Sequence, residues 1–495
     1  MDPTATTKGI ARLETGIPGV DALTRGGFPL GRSTLVGGSA GTGKTIMASQ
    51  FLIAGIERYE QPGVFVALEE TPSDLQDNMR GLGWDIASHI DSGMWAFVDG
   101  APRGGEDFFA GGAFDLQPLA DQIIAAAKRI EAKRVSIDSI AALLARFPDA
   151  GTIRREMYRL IAKLREQQIT ALITAERVDE DQDSISRFGV EEFVVDSVIL
   201  LRNRSEDARR RRTIEILKLR GGAHFSGEFP FSVGETGITA IPVGTMEMTA
   251  PSSVERIDSG CEELNRMCGG GYFQDSVAIV SGATGTGKTL TATTFLKGGA
   301  QHGHRSLFYG FEESHHQLFR NSKSWGIDLH DFEQRGLVRL RCQFPESGSL
   351  EDHLNHIRRD IVDFKPQRIV VDSISALQRI GSDHAFREFV IGLTSLIKHH
   401  QVAGLYTTTS EQLIGGTSVT GQHISTLTDT IIMLSYAERE SRLSRGMTVL
   451  KMRGSPHEKS IREFTISEKG MEIGGPLGGV FHVFGSLQSS RSSDS

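Results

Sequence analysis

The sequence predicts an α/β fold made of two tandem domains, each with a mainly parallel sheet and helices on both faces. One motif occurs twice, with Lys44 and Lys288 at the same motif position, 244 residues apart in a chain of 495. That spacing is the size of one α/β domain. Short apolar runs alternate with helical segments in each half, and the runs are continuous, as in buried parallel strands. A hydrophobic content of 39% with 23% charged residues is ordinary for globular proteins.

The domain limits follow from changes in composition. Residues 1–240 are predicted to form the first domain and 255–475 the second, joined by a turn-rich linker at 241–254. Residues 476–495 are rich in Gly and Ser and are expected to be a poorly ordered tail.

The sequence pattern predicts the same series of strands in each half. In the first half they are expected at 33–36, 64–68, 134–138, 169–174, 194–201 and around Lys218. In the second half the counterparts are 277–280, 306–311, 368–372, 402–407, 428–434 and the segment around Lys451. Ligands of such sheets bind at the carboxyl ends of the strands.

The repeated motif, at Gly38–Thr45 and Gly282–Thr289, has the spacing of a phosphate-binding loop, G-x-x-x-x-G-K-[ST]. Its glycines let backbone N–H groups turn toward a polyanion, its lysine reaches the outer phosphates, and its final threonine (Thr45, Thr289) is a hard oxygen ligand for Mg²⁺. A Gly-rich surface turn is the alternative, but the strand before and the helix after each copy favour a nucleotide site.

Acidic residues follow the predicted strands. Asp138 and Asp372 end apolar runs, where an unpaired charge would be costly unless it faces a cation such as Mg²⁺. Glutamate pairs follow another strand of each half, namely Glu69-Glu70 and Glu312-Glu313. One carboxylate of a pair can accept a proton from a nucleophile while the other orients the metal or that base. The alternatives are a turn residue for each aspartate and a helix-start acid pair for the glutamates.

Cations near the end of each half complete the pattern. Lys218 and Arg220, like Lys451 and Arg453, are spaced i and i+2 in strand-like runs, so both side chains are expected on one face. Phosphoryl transfer requires such charges near the γ-phosphate, and another subunit can supply them. A solvated basic edge is the alternative.

Composition excludes several functional classes. The net charge is −8, which argues against a surface that coats nucleic acid, and Arg209–Arg212 is interpreted as a solvated hairpin rim or a subunit contact. The sequence has neither a run of about 18 apolar residues nor a secretory leader. Its cysteines are too few for a disulfide framework: Cys261, Cys268 and Cys342. The protein is expected to be cytoplasmic, with no membrane partner.

These motifs together resemble the KaiC family, the RecA-like ATPases and autokinases of the cyanobacterial circadian clock. The segments that carry the resemblance include Met267-Cys-Gly-Gly-Gly, Gly348-Ser-Leu-Glu-Asp-His-Leu, His423-Ile-Ser-Thr-Leu-Thr-Asp and Lys451-Met-Arg-Gly-Ser. The similarity extends from Thr7 to Ile473 and implies two tandem RecA-like P-loop NTPase domains. It also implies a double-ring homohexamer with ATP and Mg²⁺ bound between subunits.

The resemblance also implies residue roles. Glu69 would be the proton acceptor for ATP hydrolysis in the first lobe, and Glu312 the general base for phosphorylation of Ser425 and Thr426, with Trp325 beside it. Metal ligands would be Thr45, Asp138, Thr289, Glu312 and Asp372. ATP would contact residues of both lobes: Gly41, Thr42, Gly43, Lys44, Thr45, Ile46, Lys218, Leu219, Arg220, His224, Thr284, Gly285, Thr286, Gly287, Lys288, Thr289, Leu290, Trp325, Arg445, Lys451, Met452, Arg453 and Ser455.

The repeat gives an independent indication about the acceptors. When Asp196 is aligned with Asp429, Glu192 lies opposite Ser425 and Phe193 opposite Thr426. Hydroxyl acceptors are therefore predicted in the second lobe alone, so the first lobe would pass phosphate to water. Local capping or turn hydrogen bonds are the alternative role for these two hydroxyls.

Two departures from the family bear on regulation. Gly421 replaces an acid that usually follows the threonine matched by Thr420, which predicts a changed order or stability of phosphorylation. The segment from Phe481 differs from the family's usual C-terminal KaiA-binding segment, so control by KaiA is not expected. A KaiB-like partner is considered for the segment from Ala101 to Asp115.

Two other functions make different predictions. A RecA-like DNA-dependent ATPase or recombinase would show salt-sensitive DNA binding, and the acidic pI of about 6.0 disfavours it. A scaffold assembled by ATP would lack labelled hydroxyls after incubation with ATP.

Overall fold

The computed structural model describes residues 10–100, 109–110, 113–177, 186–206, 209–242, 252–409, 427–439 and 442–478. The chain divides into two compact units, Met1–Thr245 and Met246–Ser495. The limits of the linker and of the tail remain predictions. Among the described helices, none is long and apolar enough to cross a membrane.

The described part of the first unit alternates strands and helices. In chain order these are β1 Arg12–Leu13, α1 Val20–Leu23, β2 Phe28–Pro29, β3 Ser33–Gly38, α2 Lys44–Tyr59, β4 Gly63–Ala67, α3 Pro72–Arg80, α4 Ile86–Asp91, β5 Trp95–Asp99, β6 Phe109–Ala110, β7 Ala113–Phe114, α5 Gln117–Ile130, β8 Arg134–Asp138, α6 Ala141–Leu144, α7 Ala150–Glu166, β9 Thr170–Glu176, α8 Glu191–Val194, β10 Ser197–Glu206, β11 Arg209–Leu219, β12 Glu228–Gly234 and β13 Gly237–Ala240.

The second unit repeats this series. Its described elements are β14 Arg256–Ile257, α9 Glu262–Met267, β15 Tyr272–Phe273, β16 Val277–Gly282, α10 Lys288–Gln301, β17 Ser306–Gly310, α11 His315–Ser324, α12 Leu329–Gln334, β18 Val338–Cys342, a 3₁₀ turn Pro345–Ser347, α13 Leu350–Phe364, β19 Arg368–Asp372, α14 Ile374–Gln378, α15 Asp383–His399, β20 Ala403–Thr409, β21 Thr430–Arg439, β22 Arg442–Met452, β23 Arg462–Ser467 and β24 Gly470–Pro476.

Each unit is built on a nine-stranded sheet of the same topology. The order is β13-β12-β11-β10-β3-β9-β8-β4-β5 in the first unit and β24-β23-β22-β21-β16-β20-β19-β17-β18 in the second. The six strands from β10 to β5, and from β21 to β18, are parallel, and the other three of each sheet are antiparallel. The prediction of two mainly parallel α/β domains is confirmed.

The parallel strands are buried on both faces, which explains their continuous apolar sequences. In β4, Val64 and Val66 pack into a core with α5 and α7. Phe65 and Ala67, on the other face, pack into a core with α2. The alternation along one strand therefore fills two separate layers of helix-covered core.

Buried arginines tie the helix after each phosphate loop to the neighbouring strand. Arg134 donates to the carbonyl oxygens of Glu14, at 2.8 Å, and of Phe51 in α2, at 3.2 Å. Arg368 donates in the same way to Phe295 in α10, at 2.9 Å. Burial lowers the pKa of both guanidinium groups to about 10. These contacts hold α2 and α10, and with them the phosphate loops, against β8 and β19.

Candidate nucleotide sites in the two lobes

The first phosphate loop lies at the carboxyl end of β3 and leads into α2. Gly41 and Gly43 have φ of 74° and 99°, in the left-handed region that favours glycine. The Thr42 hydroxyl donates to the Ser39 carbonyl oxygen at 2.8 Å, and Lys44 Nζ donates to the same oxygen at 2.9 Å. The strand-loop-helix context expected from the sequence is therefore present.

The second loop has the same geometry between β16 and α10. Gly285 and Gly287 have φ of 79° and 109°. The Thr286 hydroxyl donates to the Ala283 carbonyl oxygen at 2.8 Å, and Lys288 Nζ donates to it at 3.0 Å. Burial lowers the pKa of Lys44 and Lys288, while nearby carboxylates act in the opposite direction. Each loop thus places one cation beside backbone N–H groups at a helix N-terminus, the arrangement that binds phosphate.

The strand-end aspartates lie beside these loops. Asp138 accepts hydrogen bonds from the hydroxyls of Thr174 and Thr45, and Asp372 accepts them from Thr407 and Thr289. Burial raises the pKa of both carboxyl groups, and the hydroxyls partly offset that effect. Each lobe therefore brings the last residue of its phosphate loop together with the predicted acid.

The first glutamate of each pair lies near the lysine of the phosphate loop and the strand-end aspartate. The charge of Glu69 acts on Lys44, and that of Glu312 acts on the lysine of the second loop. Burial raises the pKa of Glu69, and the charge of Asp138 raises it further. The Ser373 hydroxyl, next to Asp372 in the chain, donates to Glu312 Oε1 at 2.6 Å. Each carboxylate therefore lies close enough to its loop lysine for the two charges to interact.

The second glutamate of each pair is bound by the helix that follows it. Asn78 of α3 donates to Glu70 Oε2 at 3.0 Å, and Asn321 of α11 donates to Glu313 Oε2 at 3.1 Å. The two members of a pair therefore differ: the first lies with the loop lysine, and the second is oriented by an asparagine amide. No sequence motif points to these asparagines, although each follows its glutamate by eight residues.

The donor set fits a magnesium ion held partly by phosphate. Mg²⁺ takes hard oxygen ligands and is commonly bound by one or two carboxylates together with substrate phosphates. Thr45 with Asp138, and Thr289 with Asp372 and Glu312, supply such oxygens. In the described residues no group of three His, Cys, Asp or Glu side chains forms a metal cage by itself.

The lysines near the end of each lobe are bound to backbone of their own lobe. Lys218 Nζ donates to the carbonyl oxygens of Glu192, at 3.0 Å, and Val195, at 2.8 Å. Lys451 Nζ donates to the carbonyl oxygen of Thr428, which corresponds to Val195, at 2.8 Å. Burial lowers the pKa of both lysines. These amines therefore brace the segment that precedes β10 or β21.

The arginines of the same motif lie just outside the strands. Arg220 and Arg453 each follow the last residue of β11 or β22 and are exposed; the expectation that both cations of a motif project from one face stays a prediction. Their backbone N–H groups donate to the carbonyl oxygens of Asp196 and Asp429 at 3.0 and 2.9 Å. This cross-strand bond is the last one at that end of each hairpin ladder.

Arg445 and Tyr436 lie over the second phosphate loop. Arg445 Nε donates to the Gly285 carbonyl oxygen, and the Tyr436 hydroxyl donates to the Thr284 carbonyl oxygen, each at 3.4 Å. The two residues are direct partners across β21 and β22. Arg445 was expected from the family resemblance, whereas Tyr436 belongs to no motif and was not predicted.

The remaining residues predicted to contact ATP are described by their surroundings in the fold. Trp325 follows α11 and packs on the hydrophobic core, His224 is half-buried, and Ser455 accepts a hydrogen bond from Arg256 at 2.8 Å. The side chains of Leu219, Leu290 and Met452 are buried in the core, and that of Ile46 is partly buried. Contacts of these residues with a nucleotide would therefore be made by their backbone. Ser425 and Thr426 lie outside the described residues, as do Thr420, Gly421 and most of the Ala101–Asp115 segment.

Comparison with known proteins agrees with this geometry. The sequence model of the KaiC ATPase family matches residues 13–244 and 257–477. The circadian clock protein KaiC3 of Synechocystis is 51% identical over 475 residues, which cover 96% of this chain and 94% of that protein. The circadian clock oscillator protein KaiC of Synechococcus elongatus is 48% identical over 464 residues, 94% of this chain and 89% of that protein. The chain therefore belongs to the KaiC family of ATPases.

Proposed function

We propose that the first lobe hydrolyses ATP and that the second lobe transfers the γ-phosphoryl group of ATP to Ser425 and Thr426. The observation that carries this proposal is the division of labour within each glutamate pair. Glu69 and Glu312 lie with a loop lysine and a strand-end aspartate, whereas their neighbours are bound by asparagines. A carboxylate in that position accepts the proton of an attacking hydroxyl group.

The residues of each lobe have distinct tasks. The loop N–H groups and the loop lysine bind the β- and γ-phosphates, and the lysine neutralises charge that develops on the transferred group. Glu69 takes a proton from water in the first lobe, and Glu312 takes one from a serine or threonine hydroxyl in the second. Mg²⁺, when bound by Thr45 and Asp138 or by Thr289, Glu312 and Asp372, supplies positive charge at the phosphate oxygens.

The first lobe lacks acceptors at the positions that correspond to Ser425 and Thr426. Glu192 accepts a hydrogen bond from Ser186 at 2.6 Å, and Phe193 is exposed at 62%. Neither side chain carries a hydroxyl. This supports water as the acceptor in the first lobe and protein hydroxyls in the second.

The proposal extends to assembly and cellular role. We infer a cytoplasmic double-ring homohexamer with ATP between subunits, in which Arg220 and Arg453 are directed at a neighbour's nucleotide. Relatives named as circadian clock proteins support a role in circadian or related timing and signalling. A KaiB-like partner on the first lobe belongs to the same proposal.

Phosphopeptide mapping after incubation with γ-labelled ATP tests the kinase assignment. Glu312→Gln is expected to reduce incorporated phosphate by about a hundredfold, within the usual range for loss of a general base. Hydrolysis by the first lobe should persist. The double variant Ser425→Ala with Thr426→Ala should abolish labelling, and Glu346→Gln, an exposed carboxylate of the second lobe, is the matched control.

Two results would contradict the proposal. Unchanged labelling in the double alanine variant would remove Ser425 and Thr426 as acceptors. Absence of label from the unaltered protein after prolonged incubation would leave an ATPase, or a scaffold assembled by ATP, without kinase activity.

A further inference from the structure

Glu176 is a carboxylate beside the first phosphate loop that the roles above do not use. It is the last residue of β9 and pairs in register with Gly38, where the loop begins. The next backbone N–H, that of Arg177, donates to the Gly38 carbonyl oxygen at 3.1 Å. The backbone at Glu176 is therefore fixed against the loop, and its side chain is half-buried there.

Three carboxylates follow three adjacent strands of the first lobe. The sheet order places β9, β8 and β4 side by side, and these strands lead to Glu176, Asp138 and Glu69. The carboxyl ends of parallel strands share one edge of the sheet, so the acids form a row with Asp138 in the middle. Burial dominates the pKa of Lys44 and of Glu69, but the charge of Glu176 also raises both. Glu176 thus acts on the loop lysine and on the proposed base.

The second lobe has no carboxylate at the corresponding position. Thr409 ends β20 in register with Gly282, as Glu176 ends β9 in register with Gly38. The adjacent strands β20, β19 and β17 therefore lead to Thr409, Asp372 and Glu312. The other two acids of the row recur in both lobes, so within this row the lobes differ only at the position of Glu176 and Thr409.

The difference matches the number of protons on the two proposed nucleophiles. An attacking water has two O–H groups, so a second acceptor beside the base fixes the direction of its lone pair toward phosphorus. A serine or threonine hydroxyl has a single O–H and is already held by its own chain, so one acceptor suffices. Such orientation of reactants contributes strongly to rate.

We propose that Glu176 is a positioning residue that accepts a hydrogen bond from the attacking water and suits the first lobe to hydrolysis. The proposal rests on the assignment of hydrolysis to that lobe with Glu69 as base. The water oxygen bonds to the γ-phosphorus as the bond to the bridging oxygen breaks, and the electron pair leaves with ADP. Glu69 takes one water proton, and the other remains on the released phosphate.

Steady-state phosphate release from the full chain tests this role, with Lys288→Ala silencing the second lobe. Glu176→Thr installs the second-lobe residue and should lower kcat by about tenfold or more, while KM changes by less than about twofold. Glu176→Asp keeps a carboxylate and should recover part of the lost kcat. Glu166→Gln, an exposed carboxylate at the end of α7, is the control and should match the parent.

The reciprocal change provides a test that does not depend on the folding of the Glu176 variants. Thr409→Glu, in a chain whose first lobe carries Glu69→Gln, should raise phosphate release from the second lobe by about threefold or more and reduce protein labelling. Unchanged release and labelling in this variant would overturn the proposal.

The two assignments fail in different ways. A normal kcat in Glu176→Thr, together with a large loss in Glu69→Gln, would overturn the role of Glu176 and leave the base assignment intact. A normal kcat in Glu69→Gln would overturn the base assignment and this inference with it. A higher KM at unchanged kcat in Glu176→Thr would identify a nucleotide-binding contact and would likewise overturn the positioning role.

Discussion

Asp360 in the second lobe shows how single residues distinguish two otherwise equivalent sheets. Its carboxylate accepts hydrogen bonds from the Tyr309 hydroxyl at 2.7 Å, from Arg339 at 3.0 Å and from Arg341 at 2.9 Å. Burial alone would raise the pKa of Asp360, but these donors outweigh it and lower the pKa to about 2. By strand register, the first lobe has Val66, Ala96 and Val98 where the second has the three donors, and all three are core residues.

Asp360→Asn should therefore destabilise the second lobe in a pH-dependent way. A carboxyl pKa lowered from 3.8 to about 2 corresponds to stability that is present at neutral pH and lost as pH falls from about 4 to about 2. Because Arg339 and Arg341 are partly exposed, we expect a loss of about 1–2 kcal/mol at pH 7. Hydrogen exchange of second-lobe peptides at pH 7 and pH 3 would measure it. Asp363→Asn, exposed on the same helix, is the control, and an equal loss at both pH values would contradict the electrostatic origin.

At the scale of elements, the helices α3 and α11 each orient one glutamate, Glu70 and Glu313 respectively. α11 begins with a capping box in which the Ser314 and Gln317 side chains and backbone bond reciprocally, and α3 begins at a Thr71 cap. Such caps fix where a helix starts and therefore where its next turns point. Asn78 and Asn321 lie two turns later and reach back to Glu70 and Glu313.

Removing either asparagine should slow only the lobe that contains it. A hydrogen bond of about 1 kcal/mol corresponds to a rate change of about fivefold. Asn321→Ala should lower protein labelling by that factor and leave first-lobe phosphate release unchanged, and Asn78→Ala should do the reverse. Lys323→Ala, exposed on α11, is the matched control. Equal effects of one asparagine variant on both activities would contradict a local role.

Strand bounds explain which site residues could be predicted from the sequence. β8 and β19 end where the apolar run meets Asp138 and Asp372, so their limits and the acids were found together. β9 and β20 were expected to end at Thr174 and Thr407, but each continues for two more residues because it pairs with β3 or β16 to the end of that strand. Glu176 was missed for that reason, since register with a distant strand is absent from local sequence.

At the scale of the molecule, the two lobes share one sheet topology but carry different side chains at some corresponding positions. The phosphate loops, strand-end aspartates, glutamate pairs and asparagines recur, and the repeat alone sufficed to predict most of them. Two of the replacements are Glu176 by Thr409 and Asn203 by Tyr436. Asn203 pairs with Arg212 across the hairpin of the first lobe, and Tyr436 pairs with Arg445 across that of the second. Their significance depends on pairing between strands, so it emerged only from the folded arrangement.

The last prediction concerns assembly and the exposed arginine near the end of each lobe. Arg220 and Arg453 follow β11 and β22 and are exposed, and Arg453 also lies 3.6 Å from Asp429. The neighbouring lysines bind local backbone. If these arginines complete a neighbour's nucleotide site, ATP stabilises the oligomer, by about 2.7 kcal/mol per site at a hundred times the dissociation constant. Light scattering after size exclusion should show hexamers at saturating ATP and smaller species without it. Arg220→Ala with Arg453→Ala should weaken assembly, whereas Arg80→Ala, exposed on α3, should not, and a monomer at saturating ATP would exclude sites shared between subunits.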